Sequence, residues 1–571
     1  MPLSLAVATA KKAQKKTGVA LWMERVLEEC DRASVEFGAD PVHDLRVALR
    51  RCRSMADGMM AMDPDRDWKA MKKAGKRLFQ RLGALRDVQI MMEWIEKLRA
   101  TTPRVAAGDS PALPSAENSG GFADAAPSTE PMESHAHDPA AHALLEILQG
   151  REAQQKHEAR AALEEFDRKQ WRQWSKSLPL RAARIRPGSA VFKHLALERW
   201  TAARELHTRA MRNRSQVAFH TLRIGIKRFR YIVENFLPDE HKAWSNDLKH
   251  MQDLLGEVHD LDVLWATALS CHVFPDEASR KILHAHILAE RTKRIDEYRQ
   301  RTVGPDSLWN VWRAGLPQGK QIQEIATRRM KLWAKVLDPD FAHSERVARL
   351  ALELYDGLNA AGLLAFLNNA APNVAALNGT SADARSCLYV AALLHDVGKA
   401  KGSKGHHKAS LELIKAHGTP LGWKAENMAC AAIVARFHCG AVPARSHKAL
   451  RDLLPDQQRI TIQLAAILRL ANALDAAHDG HIRRLRIENA AAQSKDHKRR
   501  TNGFLRKPAK MAPNEALVIA AEGFVADSST AQAVAGERYL LETVLRRPVV
   551  VKAMKSASPR LVALQSRRIA S

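Results

Sequence analysis

Two residue patterns in this sequence carry chemistry. The first is a row of cations. His43-x-x-Arg46-Val47-x-x-Arg50-Arg51-x-Arg53 returns 177 residues later as His220-x-x-Arg223-Ile224-x-x-Lys227-Arg228-x-Arg230, with every offset kept. On a helix, His43, Arg46, Arg50 and Arg53 fall within an arc of about 80°, and the second copy repeats that face. Like charges at these spacings repel by a few tenths of a kcal/mol per pair, a cost that an anion bound along the row relieves. Guanidinium groups grip phosphate oxygens in pairs, so successive side chains suit an extended phosphate chain. One such stripe is ordinarily a solvated helix face; two with identical spacing argue for a ligand. Lys72, Lys73, Lys76, Arg77 and Arg81 add a second basic row in the first copy, whereas His241, Lys242, Lys249 and His250 of the second are mixed with Asp247 and Asp253. Leu82-Gly83-x-x-x-Asp87 and Leu255-Gly256-x-x-x-Asp260 also correspond, their carboxylates being either plain surface groups or partners that orient the arginines.

The second pattern is His395-Asp396-Val397-Gly398-Lys399, following the apolar run Leu388 to Leu394. Adjacent imidazole and carboxylate at the end of a buried helix suit a divalent metal, since hard or borderline ions accept nitrogen and oxygen together. Further donors stand at helical positions: His343 at the start of an amphipathic segment, His407, His438, and Asp475 after the apolar stretch Leu464 to Leu474. A metal held by His395 and Asp396 with ligands from among His343, His407, His438 and Asp475 activates water and polarises a phosphoryl oxygen. Lys399 and Arg436 are candidates to steady developing negative charge. With His395 and Asp396 they make up the catalytic set.

The elements that must position these residues are mostly helices. The chain has 571 residues, 46% hydrophobic and 27% charged, with only 5% aromatic, a balance that favours helices over strand-rich folds and excludes a chain disordered throughout. Apolar residues recur at helical spacing over 18–100 and 141–300, for instance Leu78, Leu82 and Leu85, so the repeated motifs mark an internal duplication of helical bundles. Between the copies, residues 101–140 are rich in Pro, Ala, Ser and Gly without a hydrophobic period and read as a disordered insertion. Gly and Pro cluster near 304–320, an expected boundary. The domains expected are 1–310, then a helical 321–490, then 491–571 as a small α/β tail. Its strand character begins with Arg484 to Glu488 and continues at Ala516 to Ala521 and Val549 to Lys552, around a helix at 533–546.

The formal charge is +26, and more than half of it lies after residue 300. Such a chain seeks polyanions. Six cysteines without a C-x-x-C pair indicate neither a disulfide framework nor a thiolate zinc site. No apolar run is long enough to span a bilayer, and the expected location is the cytoplasm. No Gly-rich nucleotide loop or H-E-x-x-H occurs. The basic segment Lys495 to Lys510 has only Phe504 as an aromatic, a poor stacking platform for nucleic acid.

The duplicated stripe over about 18–300 resembles the CHAD domain, the conserved-histidine α-helical domain, with two four-helix halves and paired H-x-x-R-V-x-x-K-R-x-R helices. The resemblance implies binding of inorganic polyphosphate in a central basic cavity and a place at polyphosphate granules. Its ligands by motif position are His43, Arg46, Arg50, Arg51, Arg53, His220, Arg223, Lys227, Arg228 and Arg230, to which Lys73, Lys76 and Arg77 of the second row are added. The ordered set His343, His395, Asp396 and Asp475 resembles the HD superfamily of metal-dependent phosphohydrolases. Over about 330–560, the stretches His406 to Ile414, Ala435 to His438 and Ala466 to Asp475 resemble the C-terminal domain of the exopolyphosphatase and guanosine-pentaphosphate phosphohydrolase family. Those enzymes carry their phosphatase site in an N-terminal actin-like domain whose Gly-rich loops and strands have no counterpart here.

The fold expected is therefore mainly α: a duplicated four-helix-bundle CHAD domain, an all-α HD domain and a small α/β tail. The function expected is polyphosphate binding joined to hydrolysis of a phosphoanhydride or phosphoester bond with Mg²⁺, Mn²⁺ or an iron ion, a nucleotide or phosphate ester being the further candidate substrate. Two alternatives stay open: a non-catalytic protein that targets polyphosphate or senses a nucleotide, and a general nucleic-acid binder, for which only non-specific affinity is expected.

Overall fold

The computed structural model describes residues 18–101, 139–364, 381–488 and 515–554. Most of the 101–140 insertion, the loop near 370–381 and the basic segment Lys495 to Lys510 fall outside them. The chain forms two compact units, Met1–Met60 with Asp65–Pro317, and Ala61–Pro64 with Gln318–Ser571. Among the described residues no helix is long and apolar enough to cross a membrane.

The first unit is helical throughout: α1 (Gly18–Val35), α2 (Ala39–Met59), α3 (Arg66–Ala74), α4 (Lys76–Thr101), α5 (Pro139–Glu164) and α6 (Arg168–Ala182), then α7 (Ala190–Asn213), α8 (Gln216–Phe236), α9 (Pro238–Ser270), α10 (Glu277–Thr302) and α11 (Leu308–Ala314). The duplication is visible in the packing, since α1 lies on α2 as α7 on α8, and α4 on α5 as α9 on α10. Local signals set the starts. Asp65, Asp167, Ser215 and Asp276 each accept a backbone N–H from the first turn of the helix that follows, and Pro238 opens α9 where no N–H is needed. One difference between the halves has a sequence cause. Three residues fewer separate Trp244 from Leu255 than Trp68 from Leu82. The second half runs unbroken through α9, while the first is interrupted at Gly75 between α3 and α4.

The far ends of α4, α5, α9 and α10 share one apolar cluster, with Trp94, Leu144, Leu264 and Ile287 among its members. Each such side chain contributes about 1.5–3 kcal/mol when fully buried, so this cluster ties the two halves together. Helices α2 and α8, which carry the two stripes, also pack on each other. Gly58 makes their approach possible: a Cβ there would sit 2.3 Å from the Phe236 ring.

The second unit contains α12 (Gln321–Leu337), α13 (Phe341–Ala360), α14 (Ser381–Leu394), a 3₁₀ turn (Val397–Lys401), α15 (His406–His417), α16 (Ala425–Arg436), α17 (Lys448–Arg451) and α18 (Pro455–Leu474). A three-stranded sheet with α19 (Ser529–Leu545) follows: β1 (Arg484–Glu488) pairs antiparallel with β2 (Leu517–Glu522), and β2 pairs parallel with β3 (Val549–Ala553). The parallel pair needs a crossover, which α19 supplies. Its start lies four residues ahead of the 533 expected, because Ser528 caps it by accepting the Ala531 N–H. Helices α14 and α18 are buried on nearly all faces, and their leucines and alanines form the core with Trp333, Tyr355 and Phe437.

Candidate functional site

In the first unit the two stripes converge. Arg46, Arg50 and Arg53 of α2 and His220, Arg223, Lys227 and Arg230 of α8 are half-buried, while His43 and Arg228 are exposed. Burial, together with the charges of Arg223, Arg46 and Arg50, pushes the Lys227 ammonium down to about 8. Four cations from two helices thus act on one another at short range. The Nε atoms of Arg46, Arg50 and Arg223 and the hydroxyl of Tyr231 are buried and make no hydrogen bond. Buried cationic donors without partners cost several kcal/mol, a cost that an anion removes.

The motif carboxylates reach this cluster of cations from α4 and α9. Asp87 acts on Arg46, Arg223 and Lys227. Asp260 is raised to about 6, first by burial and then by Asp87 and Glu257, against the pull of Arg223. Aromatic rings support the guanidinium groups: Arg46 and Arg53 lie 6.0 and 5.1 Å from the Phe79 ring, and Arg50 5.9 Å from Tyr231. His220 Nδ1 lies 3.2 Å from His259 Nδ1, and burial pushes His259 down to about 4, reinforced by Arg223. Sequence reasoning passed over Tyr231, Phe79 and His259. Tyr231 directly follows the motif, and that adjacency was the one available signal.

Other motif cations are turned elsewhere. Arg51 pairs with Glu234 and leans on Trp22, and Arg230 lies 3.8 Å from the same carboxylate. Arg53 donates to the Lys72 carbonyl at 2.5 Å. In the second basic row, Lys73 and Lys76 are exposed, and acidic partners neutralise the rest: Asp57 for Lys72, Glu165 for Arg77 and Glu158 for Arg81.

In the second unit the apolar helix α14 delivers His395 and Asp396 into the core, 0% and 2% exposed. The 3₁₀ turn after them is clamped by Ser410, whose hydroxyl donates to the His395 carbonyl at 2.7 Å and accepts the Gly398 N–H at 2.9 Å. A Cβ on Gly398 would lie 2.0 Å from the His406 carbonyl oxygen, so this glycine lets α15 dock on the turn. Gly398→Ala is expected to destabilise the second unit by about 3 kcal/mol, read as a lowered unfolding midpoint for that unit. An unchanged midpoint would refute the clamp.

Docking brings His406 to Asp396. The Nδ1–H groups of His395, His438 and His406 donate to the carbonyls of Ala392, Ala435 and Ser403 at 2.7, 2.7 and 2.8 Å. Backbone acceptors therefore fix the tautomers and aim three Nε2 lone pairs inward, the support that metal-ligating histidines use. His395 Nε2 lies 3.4 Å from Asp396 Oδ2, and His406 and His438 Nε2 lie 3.2 and 3.6 Å from Oδ1. The His406 and His438 Nε2 atoms are 3.1 Å apart, so a cation, whether a proton or a metal ion, must come between them. Burial pushes the His395 and His438 imidazoles down, which keeps them in the neutral, ligating form. Two donor sets result, His343–His395–Asp396 and Asp396–His406–His438, with Asp396 common to both. His395 Nε2 and Asp396 Oδ1 are buried and make no hydrogen bond. These orphaned atoms and this nitrogen and oxygen set fit a divalent ion.

The remaining sequence candidates fall around this centre. Asp340 caps α13 through the His343 N–H and so holds His343 at the site. Asp475 is engaged: it meets His343 Nδ1 at 2.7 Å and accepts from Arg346 Nε with both oxygens. Lys399 Nζ lies 2.5 Å from Asp396 Oδ2. His407 lies beside Cys439 rather than in either Asp396 set. Arg436 lies over the Phe437 ring, and its charge acts on His407 and Cys439. His406 was missed, since nothing in the pair His406-His407 tells which ring the fold turns to Asp396. A cleft of about 430 Å³ opens beside His343, lined also by Asn472, His478, Gln532 and Glu537, ample for a small phosphate-bearing ligand.

Residues 24–269 match the family model described as CHAD domain, and residues 324–517 match that of the Ppx/GppA phosphatase, domain III. No curated protein matches the chain.

Proposed function

We propose, for a chain that joins a CHAD domain to a domain III of the Ppx/GppA phosphatase type, that it binds inorganic polyphosphate in its first unit and hydrolyses a phosphoanhydride or phosphoester bond in its second. The observation that carries the binding half is the set of buried, unpartnered guanidinium nitrogens of Arg46, Arg50 and Arg223 around Lys227. An extended phosphate chain supplies oxygens at every step and so satisfies donors from both helices at once. Lys227 and the arginines provide the charge, and Phe79 and Tyr231 hold the guanidinium planes. Nucleic acid offers phosphates too, but far apart and on a wide backbone, which a cluster of four convergent cations does not suit.

In the second unit, His343, His395, Asp396, His406 and His438 are the residues that would hold divalent metal, which supplies Lewis-acid polarisation of a phosphoryl oxygen and activation of water. The chain contributes the rest. The backbone carbonyls of Ala392, Ala435 and Ser403 orient the imidazoles, Asp396 joins the two donor sets, and Lys399 is paired directly to the centre, where it neutralises charge on phosphoryl oxygens. The cleft beside His343 admits the substrate. A second reading, in which this unit binds a nucleotide without turnover, is favoured by one observation: Asp475, the fourth residue of the H…HD…D order, already has both oxygens engaged. The test is to incubate the full chain with polyphosphate, nucleotides and Mg²⁺ or Mn²⁺, measuring bound metal and released orthophosphate. Metal with release supports hydrolysis, metal without release favours the second reading, and displacement of polyphosphate by duplex DNA at equal phosphate concentration would overturn the binding half.

A pH dependence follows from the same cluster. As pH falls through about 8, Lys227 gains its proton, and as it falls through about 6, Asp260 loses its charge. Both changes make the cluster more positive while the inner phosphates of the polymer stay ionised. Affinity is expected to rise in two steps between about pH 9 and pH 5, each on the order of tenfold for one added charge at short range. Calorimetric titration across that interval checks it, and a flat profile would contradict the assigned cluster.

A further inference from the structure

Beside the centre built on Asp396 stands a cluster with different donor chemistry. His406 and His407 are the first two residues of α15, and Cys439 follows α16 on the loop 437–441. Cys439 Sγ lies 3.8 Å from His406 Nε2 and 3.6 Å from His407 Nδ1. In a tetrahedral site with Zn–S of ~2.3 Å and Zn–N of ~2.05 Å, the sulfur-to-nitrogen edge is about 3.5 Å. All three residues are half-exposed, so an ion has a way in and a solvent-facing position remains for a fourth ligand. The loop is held from below by buried Arg469, which donates to the carbonyls of Phe437 and Gly440 at 3.1 and 3.0 Å. Gly440 lies in the left-handed region, φ +72°, and a Cβ there would come within 3.4 Å of the His407 ring. The glycine gives the loop its turn and leaves that imidazole uncrowded.

We propose that His406, His407 and Cys439 form a separate metal site, one that takes zinc or another thiophilic divalent transition ion in preference to Mg²⁺, and that it shares His406 with the centre built on Asp396. Thiolate with two imidazoles is a borderline-to-soft donor set, which selects such ions, while oxygen-rich sets suit magnesium. The sharing is exclusive. His406 Nδ1 is committed to the Ser403 carbonyl, so the ring has one lone pair, on Nε2, and that atom faces Cys439 on one side and Asp396 and His438 on the other. An ion bound at the thiolate therefore withdraws a ligand from the neighbouring centre. The exclusivity rests on the metal-binding reading of that centre, whereas the thiolate site does not.

Cobalt titration of the full chain tests the site. Wild type is expected to develop a near-ultraviolet thiolate-to-cobalt charge-transfer band that saturates at one equivalent per chain and is erased by stoichiometric Zn²⁺. Cys439→Ser should lose the band, His407→Gln should weaken cobalt binding at least tenfold, and Asp396→Asn should keep the band. Absence of the band in wild type, or its persistence undiminished in Cys439→Ser, would overturn the site. Manganese bound at the neighbouring centre, counted by electron paramagnetic resonance, should fall when Zn²⁺ is added to wild type but not to Cys439→Ser. Manganese that Zn²⁺ leaves in place in wild type would overturn the sharing. Failure of manganese to bind at all, with the cobalt band intact, would refute the reading of the Asp396 centre and leave the thiolate site standing.

Discussion

Arg46→Met with Arg223→Met is expected to weaken polyphosphate binding by ~10²-fold or more, while the thermal stability of the first unit stays the same or rises. Each guanidinium–phosphate contact is a charge-assisted hydrogen bond worth about 1.5–3 kcal/mol, so losing one from each helix removes about 3–6 kcal/mol, or roughly 10²–10⁴ in affinity. Stability should move the other way. In the unliganded protein both Nε atoms are buried without partners, and the two charges depress Lys227. Methionine keeps an apolar stem against Phe79 while removing the charge. A residue held for packing would show the reverse pattern, with a lowered melting temperature and intact binding. Calorimetry against polyphosphate and a thermal melt of the same sample separate the two. Affinity within threefold of wild type would refute the assignment of this cluster.

How much of this was legible in the sequence follows from the range of the interactions involved. Helix periodicity is local, so the two stripes, the apolar character of α14 and α18, and the duplication could be read from spacing alone. Capping is local too, which is why Ser528 explains in hindsight the early start of α19. What escaped reading depends on contacts far along the chain. Arg77 and Arg81 look like free phosphate ligands until α5 and the turn that follows it bring Glu158 and Glu165 against them, Glu165 lying 88 residues from Arg77 and Glu158 77 from Arg81. Asp475 looks like an available ligand until Arg346, 129 residues earlier, occupies it. Between His406 and His407, identical in type and adjacent, only the docking of α15 on Gly398 decides which imidazole meets Asp396. Cys439 has no C-x-x-C partner, and its histidines lie more than thirty residues upstream, so cysteine spacing gave no sign of it.

The shared position of Asp396 leads to the second large effect. Because it belongs to both donor sets, Asp396→Asn should strip divalent metal from both at once and lower any phosphate release by ~10³-fold or more, several kcal/mol of Lewis-acid stabilisation being lost. His438→Ala touches only the set with His406, so His343, His395 and Asp396 remain, and about half of the metal bound by wild type should be retained. The comparison needs a control for folding. Asn keeps the shape of the carboxylate, but Asp396 is 2% exposed and paired with Lys399, so losing its charge is expected to cost the second unit about 3–5 kcal/mol, and a thermal melt of each variant shows that it is folded at the temperature where its metal is counted. Metal content by mass spectrometry of the dialysed protein, together with orthophosphate release, reads both consequences. Equal metal loss in the two variants would mean that one ion, not two, is held between the imidazoles, and unchanged content in Asp396→Asn would remove this carboxylate from the centre.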